Sequence, residues 1–305
     1  MPPLRLVTAF PGHDVSSPVG NAQEASGVDI TTALAPPRTR IIAVTGGKGG
    51  VGKSNVAVNV ALELAARRRR VTLLDADLAL ANTDVLLGIN PTYHLGHVLS
   101  GHCSLSEVIV EVEGGVRLIP GGSGIERLAN LAPGQHGPLI AELCTVENKS
   151  DYMIVDTAAG IAHNVTGVLR AVSEAIVVTT PDPAAIIDAY ATIKVLHRHS
   201  PNKPVWIIVN DVAKISDANQ IFTQIRSTAA HFLNHPVRYL GTIPHDAVLA
   251  EAVREQVPIV EYAPKSPASR ALRLIAKHLD QSDLASPTSG SAAESFWHLL
   301  VEPEV

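Results

Sequence analysis

Residues 41–55 read Ile41-Ile-Ala-Val-Thr45-Gly-Gly-Lys-Gly-Gly50-Val-Gly-Lys-Ser54-Asn55. A short β-branched run breaks into a glycine-rich turn that contains G-x-x-x-x-G-K-S from Gly47 to Ser54, and an apolar-periodic stretch, Lys53–Arg68, follows. Strand, glycine loop and helix in that order form a phosphate-binding loop. Glycines let successive backbone N–H groups face a polyphosphate, and the helix N-terminus adds a favourable dipole. Lys53 then reaches the β and γ phosphates, and the Ser54 hydroxyl ligates Mg²⁺. The expected nucleotide-contacting set is Gly47, Lys48, Gly49, Gly50, Val51, Gly52, Lys53, Ser54 and Asn55.

The same strand-then-helix pattern repeats along the chain. Strands are predicted at Ile41–Thr45, Val71–Asp75, Val116–Ile119, Tyr152–Asp156, Ala175–Thr180, Val205–Asn210 and Val237–Leu240. Helices are predicted at Lys53–Arg68, Gly137–Glu147, Asn164–Val172, Ala184–His199, Asp217–His231, Asp246–Arg254 and Pro267–Leu279. The strands are almost continuously apolar, as strands covered on both faces must be. Repeated strand–helix–strand units imply right-handed crossovers, so the expected fold class is α/β, a doubly wound, mainly parallel sheet with helices on both faces. Ligands in such sheets bind beyond the carboxyl ends of the strands.

Two acidic positions close predicted strands. Asp75-Ala76-Asp77 ends the second, and Asp156 ends the fourth, followed by Thr157-Ala-Ala-Gly160. A strand-end carboxylate alone is an ordinary turn or cap residue. Beside a phosphate loop in the same sheet it becomes a candidate for metal and water chemistry. Asp156 is the expected metal carboxylate, with Ser54 and Asp75 completing the Mg²⁺ set, while Asp77 is placed to orient an attacking water. Lys48 is the residue that an ordinary phosphate loop does not need.

With 305 residues, 46% of them hydrophobic, the chain can bury a sizeable core, and disorder of the whole is excluded. Residues 1–38, with Pro2-Pro3, Pro36-Pro37 and no sustained period, read as a flexible extension. Residues 39–280 form the expected nucleotide-binding domain, and 281–305 an acidic tail with a short apolar segment at 292–301, in which Phe296, Leu299 and Leu300 share a helical face. The tail carries Asp283, Glu294, Glu302 and Glu304 and no Lys or Arg. The extension sets Arg5 and Arg38 against Asp14, Glu24 and Asp29, so the net charge of −5 leaves residues 39–280 neutral. A neutral body with an acidic tail gives no electrostatic reason to expect strong nonspecific nucleic-acid binding, and no specific nucleic-acid partner is expected. The 2 cysteines, Cys103 and Cys144, are too far apart for a CxxC, zinc-ribbon or disulfide framework and read as small buried hydrophobes. No apolar run approaches the roughly 18 residues that span a bilayer, and no signal-peptide pattern opens the chain, so a cytoplasmic location is expected.

Lys48-Gly-Gly-Val-Gly-Lys-Ser54 resembles the deviant Walker A motif of the MinD/ParA ATPases, and the resemblance covers roughly Arg40 to Leu279. Asp75-Ala-Asp-Leu-Ala-Leu-Ala-Asn-Thr-Asp-Val-Leu-Leu-Gly88, Leu95-Gly-His-Val-Leu-Ser-Gly101, Leu118-Ile-Pro-Gly-Gly-Ser-Gly-Ile125, Asp156-Thr-Ala-Ala-Gly160 and Pro181-Asp-Pro-Ala-Ala-Ile-Ile-Asp-Ala-Tyr-Ala-Thr-Ile-Lys194 are similar to its FlhG (FleN) branch. That branch controls flagellar number and placement, and some members restrain an enhancer-binding transcriptional activator. The resemblance implies slow hydrolysis of ATP to ADP and phosphate, coupled to an ATP-dependent homodimer in which Lys48 crosses to the partner's nucleotide. It also implies that Asn210 hydrogen-bonds the adenine edge and that Gly241-Thr-Ile-Pro244 borders the base. An asparagine's paired donor and acceptor match adenine N6 and N7.

Some members stimulate an FlhF-type GTPase through an N-terminal DQAxxLR motif; the nearest string here, Asn21-Ala-Gln-Glu-Ala-Ser-Gly27, lacks the Leu-Arg pair. The branch's C-terminal amphipathic helix supports membrane binding. In this acidic tail two outcomes stand open, contact with the inner-membrane surface in the ATP-bound state and docking on the body. The functional alternatives are a MinD-like division-site regulator, a ParA-like cargo positioner, or a nucleotide-binding adaptor without significant hydrolysis. An iron–sulfur carrier of the related Mrp type lacks its paired cysteines. Arg67–Arg70 reads as a solvated helix end, and the spacing of His94, His97, His102 and Cys103 fits no standard metal site.

Overall fold

The computed structural model describes residues 39–77, 82–129, 137–282 and 295–301. The expected N-terminal extension and residues 283–294 and 302–305 of the tail lie outside the described residues. The strands are β1 (Arg40–Thr45), β2 (Val71–Ala76), β3 (Val110–Val112), β4 (Val116–Pro120), β5 (Tyr152–Thr157), β6 (Glu174–Thr179), β7 (Val205–Val212) and β8 (Val237–Pro244). They make one 8-stranded sheet in the order β3-β4-β2-β5-β1-β6-β7-β8. Every pairing is parallel except β3 with β4.

The helices are α1 (Lys53–Ala66), α2 (Thr83–Leu86), α3 (Leu95–Leu99), α4 (Leu105–Val108), α5 (Gly124–Ala129), α6 (Gly137–Asn148), α7 (His163–Ala171), α8 (Pro183–His199), α9 (Ile215–Leu233), α10 (Ala247–Arg254), α11 (Ile259–Tyr262), α12 (Pro267–Gln281) and α13 (Phe296–Val301). Among the described residues no helix is long and apolar enough to cross a membrane.

Strand alternation explains the two cores. In β1, Ile41 and Ala43 face the core built with α6, α7, α8 and α9, whereas Ile42 and Val44 face the one built with α1, α11 and α12. Both faces of β2, β5 and β6 are fully covered, which is why these strands carry no polar alternation. The rim is tied by polar contacts. Arg40 pairs with buried Glu174 and donates to Leu279 O at 2.7 Å, joining the start of β1 to the end of α12.

Two strands run two or more residues further than the sequence predicts. β7 continues past Asn210 through an irregularity between Val209 and Val212, and β8 continues past Leu240 through Gly241-Thr-Ile-Pro244, the segment expected to border the base. Gly241 stays in the strand because α12 lies on it so closely that any Cβ there would strike Ile275. The arginine run is also more than a solvated end. Arg67 and Arg69 both hold Asp280, and Arg70 holds Asp151, so the end of α1 is clipped to α12 and to the entry of β5.

The apolar tail segment is docked. Phe296, Trp297 and Leu300 of α13 are buried against α5, α6 and α7, while Leu299 is only partly covered. The buried face is therefore 296, 297 and 300 rather than the expected 296, 299 and 300, because the large Trp297 side chain is fully enclosed. A surface already packed on the body is not presented to a membrane in this conformation. Nor is Cys144 a buried hydrophobe: half-exposed, it donates to Ser295 Oγ at 3.1 Å, and that hydroxyl donates to Glu147 at 2.7 Å. Cys103 is likewise only partly buried.

Candidate nucleotide site

Register fixes the site. β1 lies between β5 and β6, with Val44 level with Asp156, and β2 sets Asp75 level with the same Asp156. Both carboxylates thus emerge at the carboxyl edge beside the loop that leaves Thr45. That loop is shaped by close approach. Gly50 and Gly52 adopt φ of 80 and 93, and a Cβ on Gly47 would run into the backbone of Asp188 on α8. From the other side Gly160 N donates to Gly46 O at 3.1 Å, so the segment after Asp156 is tied to the loop.

Lys53 opens α1 and turns back into the loop, its Nζ 3.5 Å from Lys48 O. It is buried, which pulls its pKa below the ordinary lysine value, while Asp156 and Asp77 act to raise it. Both aspartates therefore lie within electrostatic reach of the phosphate lysine. Asp156 is 1% exposed, and among the described residues neither of its oxygens meets a donor at hydrogen-bonding geometry, although the Ser54 hydroxyl lies beside it. Burial pushes its carboxyl up to about 7, Asp75 and Asp77 push the same way, and Ser54 and Lys53 oppose. A buried carboxylate with two unused oxygens next to a hydroxyl and an ammonium fits a hard divalent cation and its waters.

Asp75, the third expected metal ligand, is engaged by hydrogen bonds. Its Oδ2 accepts from Thr83 Oγ1 at 2.5 Å and from Thr83 N at 3.3 Å, and its Oδ1 accepts from Asp77 N at 3.1 Å. Both oxygens accept hydrogen bonds, from Asp77 N and from Thr83, so Asp75 positions the segment that carries Asp77, and each oxygen keeps lone-pair capacity beyond these bonds. Its pKa is raised, with burial the largest cause and these hydrogen bonds opposing.

Lys48 points away from its own loop. Its ammonium pairs with Asp182, the N-cap of α8, and Asp188 adds attraction; the pair holds Lys48 above and Asp182 below its usual pKa. The sequence reading missed Asp182, Asp188 and Thr83. For Asp182 a signal existed, since Asp182-Pro183 is a helix-start pair. Asn210 is buried at the other end of the loop, where its Nδ2 donates to Val51 O at 2.9 Å and touches Gly52. One N–H of its amide is thus committed to the loop, leaving the second N–H and the acceptor Oδ1 for a base. Pro244 ends β8 opposite Val212, and half-buried Asn55 lies in the first turn of α1. His94 and His97, close to this edge, accept backbone N–H bonds that cap α3.

Known proteins resemble this chain in sequence and in fold. The CbiA family, described as the CobQ/CobB/MinD/ParA nucleotide binding domain, matches residues 42–259. The chain is 41% identical to the antiactivator FleN of Pseudomonas aeruginosa, over 86% of this chain and 94% of that protein. It is 36% identical to the flagellum site-determining protein YlxH of Helicobacter pylori, over 87% and 90%. Among solved structures, the septum site-determining protein MinD of Pyrococcus horikoshii complexed with Mg-ADP superposes with a TM-score of 0.62 at 28% identity, covering 80% of this chain and 96% of that one. Loop, carboxylate arrangement and similarity over most of the chain lead to one assignment: the chain belongs to the CobQ/CobB/MinD/ParA family of nucleotide-binding domains.

Proposed function

We propose that this protein is an ATP-switched regulator of flagellar number and placement, active as a homodimer assembled on ATP and reset by hydrolysis. The catalytic core is that of an ATPase using ATP/ADP and Mg²⁺. Asp156 and Ser54 would hold the cation, which supplies charge neutralisation at the β and γ phosphates when bound. Lys53 binds the same phosphates in cis. Asp77, held by Asp75, orients the attacking water. Asn210 reads adenine. The flagellar role follows from similarity over most of the chain to FleN and YlxH. The word antiactivator in the name of the former supports an activator protein as partner.

One observation carries the dimer: the loop holds two lysines, and only Lys53 serves its own site. Lys48 sits on the exposed rim, its charge parked on Asp182. Ile161 and Ile187, next to the Gly160 and Asp188 contacts of the loop, are 49% and 68% exposed, an apolar margin that a second copy would cover. A cation supplied by the partner couples assembly to the presence of the γ phosphate.

Light scattering on the Asp77→Ala protein tests this. With ADP it should elute as a monomer, and with ATP and Mg²⁺ as a dimer; Lys48→Ala should bind ATP yet remain monomeric. A monomer in all conditions with ATP bound would overturn the switch and favour a nucleotide-binding adaptor.

A further inference from the structure

α1 ends on a residue that its closing turn does not favour. Arg68 N donates to Ala65 O at 2.8 Å and Arg69 N to Leu64 O at 3.2 Å, the bond pair that closes a helix when the residue after the cap turns left-handed. That residue is Arg68, at φ 64, where glycine is the favoured choice and a side chain is strained. Among the described residues its guanidinium has no ion-pair partner, whereas its neighbours Arg67 and Arg69 hold Asp280. Strain kept for an unpaired charge points to function more than to stability.

The surroundings are cationic. α12 packs beside α1 and turns Arg270, Arg273, Leu274 and Lys277 outward, while Leu272, Ile275, Ala276 and Leu279 are buried. Arg270, Leu274 and Lys277 follow one another at i, i+4 and i+7, a single stripe of the helix. The carboxylates that pair with this surface lie beneath it: Asp280 under Arg67 and Arg69, and Glu63 under Arg273, are 8% and 9% exposed, whereas Arg69 and Arg273 are 46% and 45% exposed. Six cations thus stand over two covered carboxylates, in a body whose net charge is zero. Among them Leu274 is 65% exposed.

We propose that this face of α1 and α12 docks an acidic protein segment that carries an apolar residue between its carboxylates. Five of the six cations are arginines, whose planar forks match a carboxylate two bonds at a time. Leu274 needs an apolar counterpart, which a phosphate backbone does not offer. A bilayer is the poorer match as well, because the broad apolar face of α12 is turned into the core and one leucine remains for the acyl chains. From Arg270 to Gln281 the helix rises about 17 Å, the length of about five extended residues. α1 begins at the phosphate loop and ends here, so a segment docked on this face leaves the nucleotide site open.

Fluorescence anisotropy with the labelled peptide Glu-Asp-Glu-Leu-Glu-Asp-Glu, on the full chain with ADP and Mg²⁺, reads docking directly. The peptide should bind, less tightly as salt rises, and a peptide with lysine at each acidic position should not. Arg270→Gln combined with Lys277→Gln should weaken binding about tenfold. Leu274→Ser should weaken it about fivefold, an effect that vanishes when the leucine of the peptide is also serine. Arg68→Gly relieves the left-handed strain, so this variant should melt at or above the parent temperature yet bind about threefold more weakly; a merely structural arginine would lower the melting temperature and leave binding unchanged. No binding of the peptide, or binding that these variants do not alter, overturns the proposal. Binding of phosphatidylglycerol vesicles or duplex DNA that the same variants abolish, with no binding of the peptide, overturns it in favour of a lipid or nucleic-acid surface.

Discussion

Lys48 and Asp182 face each other at the mouth of the loop, each side chain 43% exposed. Such an exposed pair holds little energy, so it works as a parking place from which the lysine is easily drawn. A phosphate across a dimer interface competes with Asp182 for the same ammonium. Asp182→Asn keeps an acceptor for Ala184 N, the capping bond of 2.9 Å, while removing the charge. The expected result, in an Asp77→Ala background where ATP is retained, is a lower dimer dissociation constant by sedimentation; a weaker dimer would show that Asp182 supports the interface instead. This residue-level logic was partly legible. Lys53, Ser54 and Asp156 follow from motif and strand ends because covalent spacing fixes them. The partners of Lys48 and Asp75 depend on α8 and α2 being brought to the loop by the sheet, and spacing cannot supply that.

Among the elements, α13 shows how much a short helix depends on its seat. Six residues cannot sustain a helix in water. This one is held by Phe296, Trp297 and Leu300 below and by Ser295 bridging Cys144 and Glu147 at its start. Trp297→Ala should cost about 3 kcal/mol in urea unfolding, mostly from the cavity left where α13 meets the body. Trp297→Phe should cost much less, since the indole N–H is buried without a partner among the described residues and its loss removes an unmet demand. Equal losses in the two variants would mean that the indole N–H is satisfied. The long helices and buried strands were readable because their periodicity runs over many residues. β3, α2, α3, α4, α5 and α11 span three to six residues each and take their form from neighbours, as in the cap that His94 and His97 give α3.

At the scale of the whole molecule, α7 links the parts, following the nucleotide segment after Asp156 and carrying α13 on its surface. Its carboxyl end is closed by Lys203, which enters β7 and donates its ammonium to Leu169 O at 2.5 Å and Arg170 O at 2.9 Å. Burial drives this lysine down to about 7, and Arg170 pushes the same way. The unfolded chain therefore binds one more proton than the folded one between about pH 7 and the ordinary lysine value of 10.5. Folding stability should rise with pH across that window, by up to about 1.4 kcal/mol per pH unit for a single group, and the full penalty should be present below pH 7. Lys203→Met removes the titration together with two helix-end bonds. Urea midpoints at pH 7.5 and 9.5 should then differ more in the parent protein than in the Met variant, with the other titrating groups common to both. Parallel profiles would mean that the two carbonyls keep Lys203 charged throughout, so that it serves α7 as a permanent cation.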